Sequence, residues 1–502
     1  MGNEKNLVDY RLYIKEFIIN IEMNFPVDTW RRNDIYFWPF LRRKIYFSLI
    51  RKFSDNQLNG LEKTISKKKS SLSIPQKIKG KFNVLSRVLS FISFWVNLSK
   101  RDYVFLSAPH FKETFDGKSF DRLFDPLIKD KDLEDKSIYL VLNSESKKKR
   151  SNTLELEILK QYQTFELISK RFRSKTYHFD DLEFQNFNDF QEILKKEFKA
   201  DYEGLDINSF IEKRSLSLNT QISFFKILFK RIKPDKVLSL CYYYSNLYEA
   251  AIAAANKLGI QTIELQHGSI VSEHMCYAEW NKIPSSGFST LPRTFWCWDS
   301  FTYEIMNKWT SESNFHDALI FGHPWISFWN NRDLYSSEEN YVLYTLQPEP
   351  EYKIEQLFPI GLVNYMKSKS IKWIIRMHPR QKVSKVSFEN YLVQQGVSNF
   401  ILNTVADSPL PISMSGCTLH ITQSSGCVHE AVLFNKKTVL LNKIGQNYFK
   451  SMIESGSAFY FNPNNLNFSE KMDSIIDMSK ELSRKNLSQS KSLEKMIKML
   501  KS

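Results

Sequence analysis

Residues 233–268, KPDKVLSLCYYYSNLYEAAIAAANKLGIQTIELQHG, set the fold of the 502-residue chain. Val237, Leu238 and Leu240 read as a short buried strand, and Tyr248 to Leu258 has helix-forming composition with Gly259 just after it. Ile263 and Leu265 supply a second strand that ends in Gln266-His267-Gly268. Strand, helix, strand in this order predicts a parallel βαβ unit. Open α/β sheets carry their chemistry at the carboxyl ends of the strands. Tyr242 to Asn246 and Gln266 to Ser269 are therefore expected on one functional rim.

The same pattern extends both ways. YVFLSAP from Tyr103 is a strand that runs into the loop HFKETFDGKSFDRLFDPL, where Asp116-Gly117 forms a first-domain rim turn. SIYLVLN (137–143) is a second strand, and the charged run ESKKKR after it is a solvated loop. Residues 150–230 read as helices plus a sheet edge. Beyond Gly268, strands are expected at 295–298 and 317–322, a helix at 300–308, and the polar segment RDLYSSEEN (332–340) carries a domain crossing. A second α/β unit follows, with YVLYTLQP from Tyr341, IKWIIRMHPR (371–380), LHIT (419–422) leading into Gln423-Ser424-Ser425-Gly426, and TVLLNKIG from Thr438.

Composition sets the outer bounds. Single cores stop growing near about 250 to 300 residues, so two or three domains are expected. Five scattered cysteines without a CxxC pair indicate neither a disulfide scaffold nor a structural zinc and fit a reducing compartment. No signal-peptide or membrane-spanning run is present, which leads to the expectation of a cytoplasmic protein. The net charge of +15 admits nucleic acid, an anionic membrane surface or a phosphorylated substrate as partners. Nucleic acid is disfavoured because the lysines are spread out and no recognition module is recognisable. Residues 1–100 read as a helical segment. Its aromatic and basic stretch from Trp30 to Lys52, a Lys/Ser-rich linker at 63–81 and the apolar helix 82–98 suit a segment lying on an anionic membrane, or else a helix docked on the first domain. The remaining boundaries are 101–330, 331–480 and a basic helix within 481–502.

On the second rim, Ser424, Ser425 and Gly426 precede a helix and offer hydroxyls and backbone N–H groups to a phosphate, with Gln423 beside them. His378 and Arg380 add a switchable donor and a fixed cation, and Glu430 on the same helix suits ribose hydroxyls. Singly, each has a plainer role as a cap or a loop residue; jointly they make a nucleotide pocket. On the first rim His267 is placed as base or donor, and Asp116 as the base that activates an acceptor hydroxyl. His110, His267, His274 and His323 are too scattered for a metal site, and no metal is expected.

At these residues the chain resembles bacterial capsule and lipopolysaccharide polysaccharide-biosynthesis glycosyltransferases of the GT-B type. The carriers are ELQHG (264–268), WPF-LRR (38–43) and DGKSFD (116–121). More broadly it is similar to CMP-sugar-using sialyltransferases and Kdo transferases, which carry an acidic residue before Gly in the first domain and His-Pro and Ser-Ser motifs in the second. The resemblance implies an α/β fold of two Rossmann-like domains facing across a cleft, with a helical N-terminal extension. It assigns Asp116 as catalytic base, His378 as donor to the leaving CMP phosphate, and Ser424 and Ser425 as its holders. The implied partners are a nucleotide-sugar donor, favoured as CMP-linked Kdo or a sialic-acid-like sugar, and a glycan or lipid-linked acceptor at the inner face of the cell membrane. Alternatives are a UDP- or GDP-sugar capsule transferase, a polyol-phosphate transferase, a sugar-nucleotide epimerase of related fold, or a silent assembly partner.

Overall fold

The computed structural model describes residues 2–32, 34–58, 89–115, 117–142, 154–172, 184–199, 202–330, 340–347, 353–381, 383–405, 407–483 and 492–502. Asp116, the Lys/Ser-rich linker at 63–81, the first seven positions of the 82–98 helix, the ESKKKR run and all but Asn340 of the crossing segment lie outside the described residues.

Seven strands form the first sheet: β1 (Tyr103–Leu106), β2 (Ser137–Val141), β3 (Leu154–Glu157), β4 (Lys236–Ser239), β5 (Gln261–Leu265), β6 (Thr294–Cys297) and β7 (Asp317–Ile320). Their order is β7-β6-β5-β4-β1-β2-β3, and every pairing is parallel. The second sheet holds β8 (Tyr341–Thr345), β9 (Lys372–Arg376), β10 (Phe400–Asn403), β11 (Leu419–Thr422), β12 (Thr438–Leu440) and β13 (Ala458–Tyr460). Its order is β10-β9-β8-β11-β12-β13, again all parallel. Both orders reverse direction once, between β1 and β4 and between β8 and β11. These are two doubly wound Rossmann-like sheets, and a crevice is expected at each reversal. A cleft between the two domains makes the arrangement GT-B.

Parallel strands covered on both faces must be apolar throughout. All residues of β1, β2 and β8 are buried accordingly. The helix read at 248–258 spans Asn246–Lys257, starting where the Ser245 hydroxyl accepts the Tyr248 N–H. Its alanines 250, 251, 253, 254 and 255 are all buried. Such small side chains let it lie closely on the long preceding helix Ile207–Ile232. Within 150–230, read as helices plus a sheet edge, Leu154 to Glu157 pairs with β2 as the edge strand, and a helix begins at Leu159. Alternating Leu154 and Leu156 carry the period-2 signal there.

The N-terminal segment is not separate from the first domain. Helix α1 (Gly2–Asn24), helix α2 (Trp38–Leu58) and the segment between them place Trp30, Trp38, Phe40, Ile45 and Leu49 at 0% exposure in the first domain's core. The aromatic and basic stretch from Trp30 to Lys52, read either as lying on a membrane or as docked on the first domain, is largely interior and fits the docked reading. Arg42 is fully buried; its Nη1 donates to the Met275 carbonyl (2.6 Å), and its Nη2 to those of Ala278 (2.9 Å) and Glu279 (2.7 Å). Glu22 lies 3.0 Å from Arg42 Nε and completes the pair. Arg43 meets Glu249, whose other oxygen accepts from Arg214 at 2.9 Å.

The basic C-terminal helix, α3 here (Leu493–Lys501), follows the second domain in sequence but packs on the first. Met496 and Leu500 are buried with Phe105, Phe124 and Trp325. Lys236 at the start of β4 donates to the Leu500 carbonyl (2.6 Å), and Lys501 pairs with Asp130 at 3.0 Å. Among the described residues no helix is long and apolar enough to cross a membrane. Leu500→Ala removes a fully buried side chain from this joint and is expected to cost about 2–5 kcal/mol. Urea unfolding followed by tryptophan fluorescence measures it.

Candidate functional site

A cleft of roughly 270 Å³ lies where the two carboxyl-end rims meet. Phe111, Arg122, His267, Gly268, Ser269, Trp298 and His323 line it from the first domain; His378, Ser425, Gly426, Cys427 and Glu430 line it from the second. Of the residues expected from sequence, His267, His378, Ser425, Gly426 and Glu430 are thus brought together. Ser424 is one step back. Its hydroxyl accepts from the Gln347 amide (2.9 Å) and its N–H donates to Gln347 Oε1 (3.1 Å), which bridges β8 and β11 at the reversal point. Gln423 turns away from the cleft and donates to the Gln356 carbonyl (3.0 Å), so it supports the loop from behind. Arg380 is exposed and does not line the cleft.

The cation that does line it is Arg122, which the sequence reading passed over. It follows a short hairpin (Lys112–Phe115 with Lys118–Asp121) whose turn contains Gly117 at φ +74°. The hairpin is anchored by Asp121, which is fully buried and accepts from the Ser107 hydroxyl (2.6 Å) and from the Leu123 and Phe124 N–H groups. Glu113 holds Arg122 Nη1 at 3.2 Å. Across the cleft, burial pushes the Glu430 carboxyl up, and Arg122 opposes that.

Burial, with Arg380 nearby, lowers His378 to about 4, so the ring is neutral at ordinary pH. Its Nδ1 accepts the Arg380 N–H at 3.1 Å. The ring proton therefore sits on Nε2, which makes His378 a neutral donor. His323, which precedes Pro324, also lines the cleft; it stacks on Trp298 with centroids 4.0 Å apart, and burial lowers it to about 3.

His267 has a partner that sequence reasoning missed. Its Nδ1 lies 3.9 Å from Oε1 of Glu264, three residues earlier on β5. Glu264 is buried; it accepts from the Tyr277 hydroxyl and, at 2.8 Å, from the Tyr242 N–H. Desolvation raises its carboxyl to about 8 against those hydrogen bonds. The lone acidic residue of the strand QTIEL, between Ile263 and Leu265, was the available signal. Arg42 completes the support by gripping the carbonyls on either side of Tyr277.

The two rims are joined by a buried chain of hydrogen bonds. Ser269 Oγ lies 3.2 Å from His429 Nε2, and His429 Nδ1 lies 2.6 Å from Asp299 Oδ2. Asp299 also caps the helix Ser300–Thr310 by accepting the Thr302 N–H at 2.7 Å. Burial works against its charge, yet His429 and Thr302 hold the carboxyl below its ordinary value. An ionised Asp299 accepts from Nδ1–H of His429, which turns Nε2 toward Ser269. Asp299 thus has two roles, a helix cap and a contact that crosses the domains. Close approach here depends on Gly426, where a Cβ would lie 2.9 Å from that of Ser269. Among the described residues no cluster of three or more His, Cys, Asp or Glu could hold a metal ion.

No protein family matches the sequence, and no curated protein matches it. Solved structures do match in shape. S. aureus MnaA with UDP shares 13% identity over 80% of this chain and 95% of that one, TM-score 0.46. The Neisseria meningitidis UDP-GlcNAc 2-epimerase bound to UDP-GlcNAc shares 12% over 80% and 98%, TM-score 0.46. Arabidopsis thaliana UGT89C1 with UDP-L-rhamnose shares 12% over 59% and 74%, TM-score 0.33. At such identities and TM-scores these likenesses carry nothing about activity, and the fold assignment stands on the strand orders above.

Two variants probe this geometry. Glu264 has a folded value near 8 against an ordinary 4.5, so its buried neutral form stabilises below about pH 4.5 and that contribution is lost as pH rises toward 8. Glu264→Gln should therefore gain in melting temperature over the parent at about pH 9 relative to about pH 5, in paired thermal melts. Gly426→Ala should cost about 1–3 kcal/mol in urea unfolding, because Ser269 has to move.

Proposed function

We infer that the cleft binds a nucleotide sugar and transfers the sugar to a hydroxyl of a growing glycan or lipid-linked acceptor. The observation that carries this reading is the meeting of His267-Gly268-Ser269 with His378 and Ser425-Gly426 across one cleft, at the carboxyl ends of two Rossmann-like sheets. The leaving phosphate would be held by the Ser425 hydroxyl and by Nε2–H of neutral His378. Its charge would be offset by Arg122 from the opposite domain, in the place that sequence reading gave to Arg380. A neutral donor and a cation brought from opposite walls stabilise charge that develops as the glycosidic bond to phosphate breaks. His267 would take the acceptor proton, oriented by Glu264. Glu430 would meet ribose or sugar hydroxyls. Asp116 in the first rim turn is the alternative base for that proton.

The test is thermal-shift binding with CMP, CDP, UDP and GDP, run on the parent chain, His378→Ala and Arg122→Ala. Nucleotide stabilisation that falls by roughly tenfold in affinity in both variants, equivalent to about 1.4 kcal/mol, supports the pocket. The preferred base separates the CMP-linked donor from a UDP- or GDP-linked one. Stabilisation by none of the four, or binding unchanged in both variants, overturns the reading.

A further inference from the structure

Ser269, Asp299 and His429 are far apart in sequence, and the fold brings their side chains into one line. Ser269 Oγ lies 3.2 Å from His429 Nε2, and His429 Nδ1 lies 2.6 Å from Asp299 Oδ2. A hydroxyl within hydrogen-bond reach of an imidazole, itself oriented by a buried carboxylate at its far nitrogen, is the arrangement that makes a serine nucleophilic. It is recognised by geometry and recurs on unrelated folds in different chain orders. A joint between domains needs only His429 and Asp299. The third member, on the remaining ring nitrogen, is half-buried and lines the cleft.

His429 and Asp299 are buried, so the pair is shielded from water while the hydroxyl is not. Phe449 meets the His429 ring edge-on at 5.8 Å and helps to hold its orientation. Ser425, on the facing wall, has a thiol in place of an imidazole: its Oγ lies 3.3 Å from Cys427 Sγ. Acyl transfer also needs donors for the oxyanion. Among the described residues neither the Ser269 N–H nor the Gly426 N–H has a hydrogen-bond partner, and both residues line the cleft. A Cβ at 426 would lie 3.5 Å from the Ser269 nitrogen, so glycine keeps the space beside that N–H open. Phe111, Leu123 and Trp325 give the same cleft an apolar wall, which suits a short acyl chain.

We propose that Ser269, His429 and Asp299 form a second chemical centre in the cleft, a serine nucleophile that hydrolyses short-chain carboxylic esters. Ser269 Oγ bonds to the ester carbonyl carbon while its proton passes to His429 Nε2. The C–O bond to the alcohol then breaks, and the alcohol leaves with that proton. Water gives a proton to Nε2 as its oxygen attacks the acyl-serine. The carboxylic acid departs, and the proton returns to Ser269 Oγ. Asp299 holds the Nδ1–H throughout and offsets the charge that forms on the ring. No step uses His378 or Arg122, so this centre stands or falls apart from nucleotide binding.

The experiment treats the full chain with an alkyl fluorophosphonate, from which a serine oxygen displaces fluoride, and locates the adduct by peptide mass mapping. The parent should carry one adduct, on Ser269, formed at least about a hundredfold faster than any adduct of the urea-unfolded chain. Ser269→Ala should take up none and should lose the parent's hydrolysis of 4-nitrophenyl acetate. His429→Gln and Asp299→Asn should label at least about a hundredfold more slowly than the parent. Both touch the domain joint, so their melting temperatures are read alongside, and where these fall the parent's own labelling decides. A parent that stays unlabelled, labels only elsewhere, or labels no faster than the unfolded chain overturns the proposal. So does ester hydrolysis that survives in Ser269→Ala, or a His429→Gln or Asp299→Asn chain that melts like the parent and labels at its rate. Nucleotide thermal shifts on the same parent sample show separately whether the nucleotide site fails.

Discussion

The structure turns on one buried contact, the 2.6 Å hydrogen bond between Asp299 of the first domain and His429 of the second. A carboxylate taken out of water is costly unless it is paired and hydrogen-bonded. Asp299 meets both conditions, since its own helix supplies an N–H and the other domain supplies an imidazole. The pairing holds the His429 ring with Nδ1 toward Asp299 and so aims Nε2 at Ser269. Ser269 in turn sits directly against Gly426, so the distance between the rims is set by atoms in contact rather than by a distant hinge. This joint, with the apolar cluster that Trp325 and Phe328 share with Tyr341 and Met414, holds the domains at that spacing.

Much of the fold was legible because its signals are local. A run such as YVFL or SIYLV, buried on both faces, announces itself by composition, and the alanine-rich helix after Ser245 carries its own cap and stop. Cleft residues at strand ends were readable for the same reason: His267, His378, Ser425 and Gly426 each follow a recognisable strand. What stayed hidden depends on partners far away in sequence. Arg42 looks like a surface arginine until the carbonyls of Met275, Ala278 and Glu279 meet it more than two hundred positions later. Aromatics interleaved with arginines describe a membrane face and a buried docking helix equally well, and only the packing distinguishes them. Arg122 and Arg380 likewise differ in nothing local; one follows an anchored hairpin into the cleft, the other faces solvent.

The electrostatics of the cleft follow from unequal burial rather than from many charges. His378 and His323 are kept neutral by desolvation, and Glu264 is pushed toward its protonated form behind His267. A +15 chain thereby presents a site whose polar groups are mostly uncharged donors and acceptors. Fixed dipoles and one opposed cation respond less to screening by salt than an array of lysines would. The abundant positive charge is free to act elsewhere on the surface.

The return of the helix Leu493–Lys501 to the first domain has a consequence for how the protein is made. Domains emerging from the ribosome generally fold N-terminal first. Here the first sheet is translated long before the residues that seal Phe105, Phe124 and Trp325, and before the carbonyl that receives the Lys236 ammonium. While the second domain is being synthesised, the first must wait with an apolar groove open to solvent. Completion of the two domains is therefore a single event in time, although they are separate in sequence and in topology.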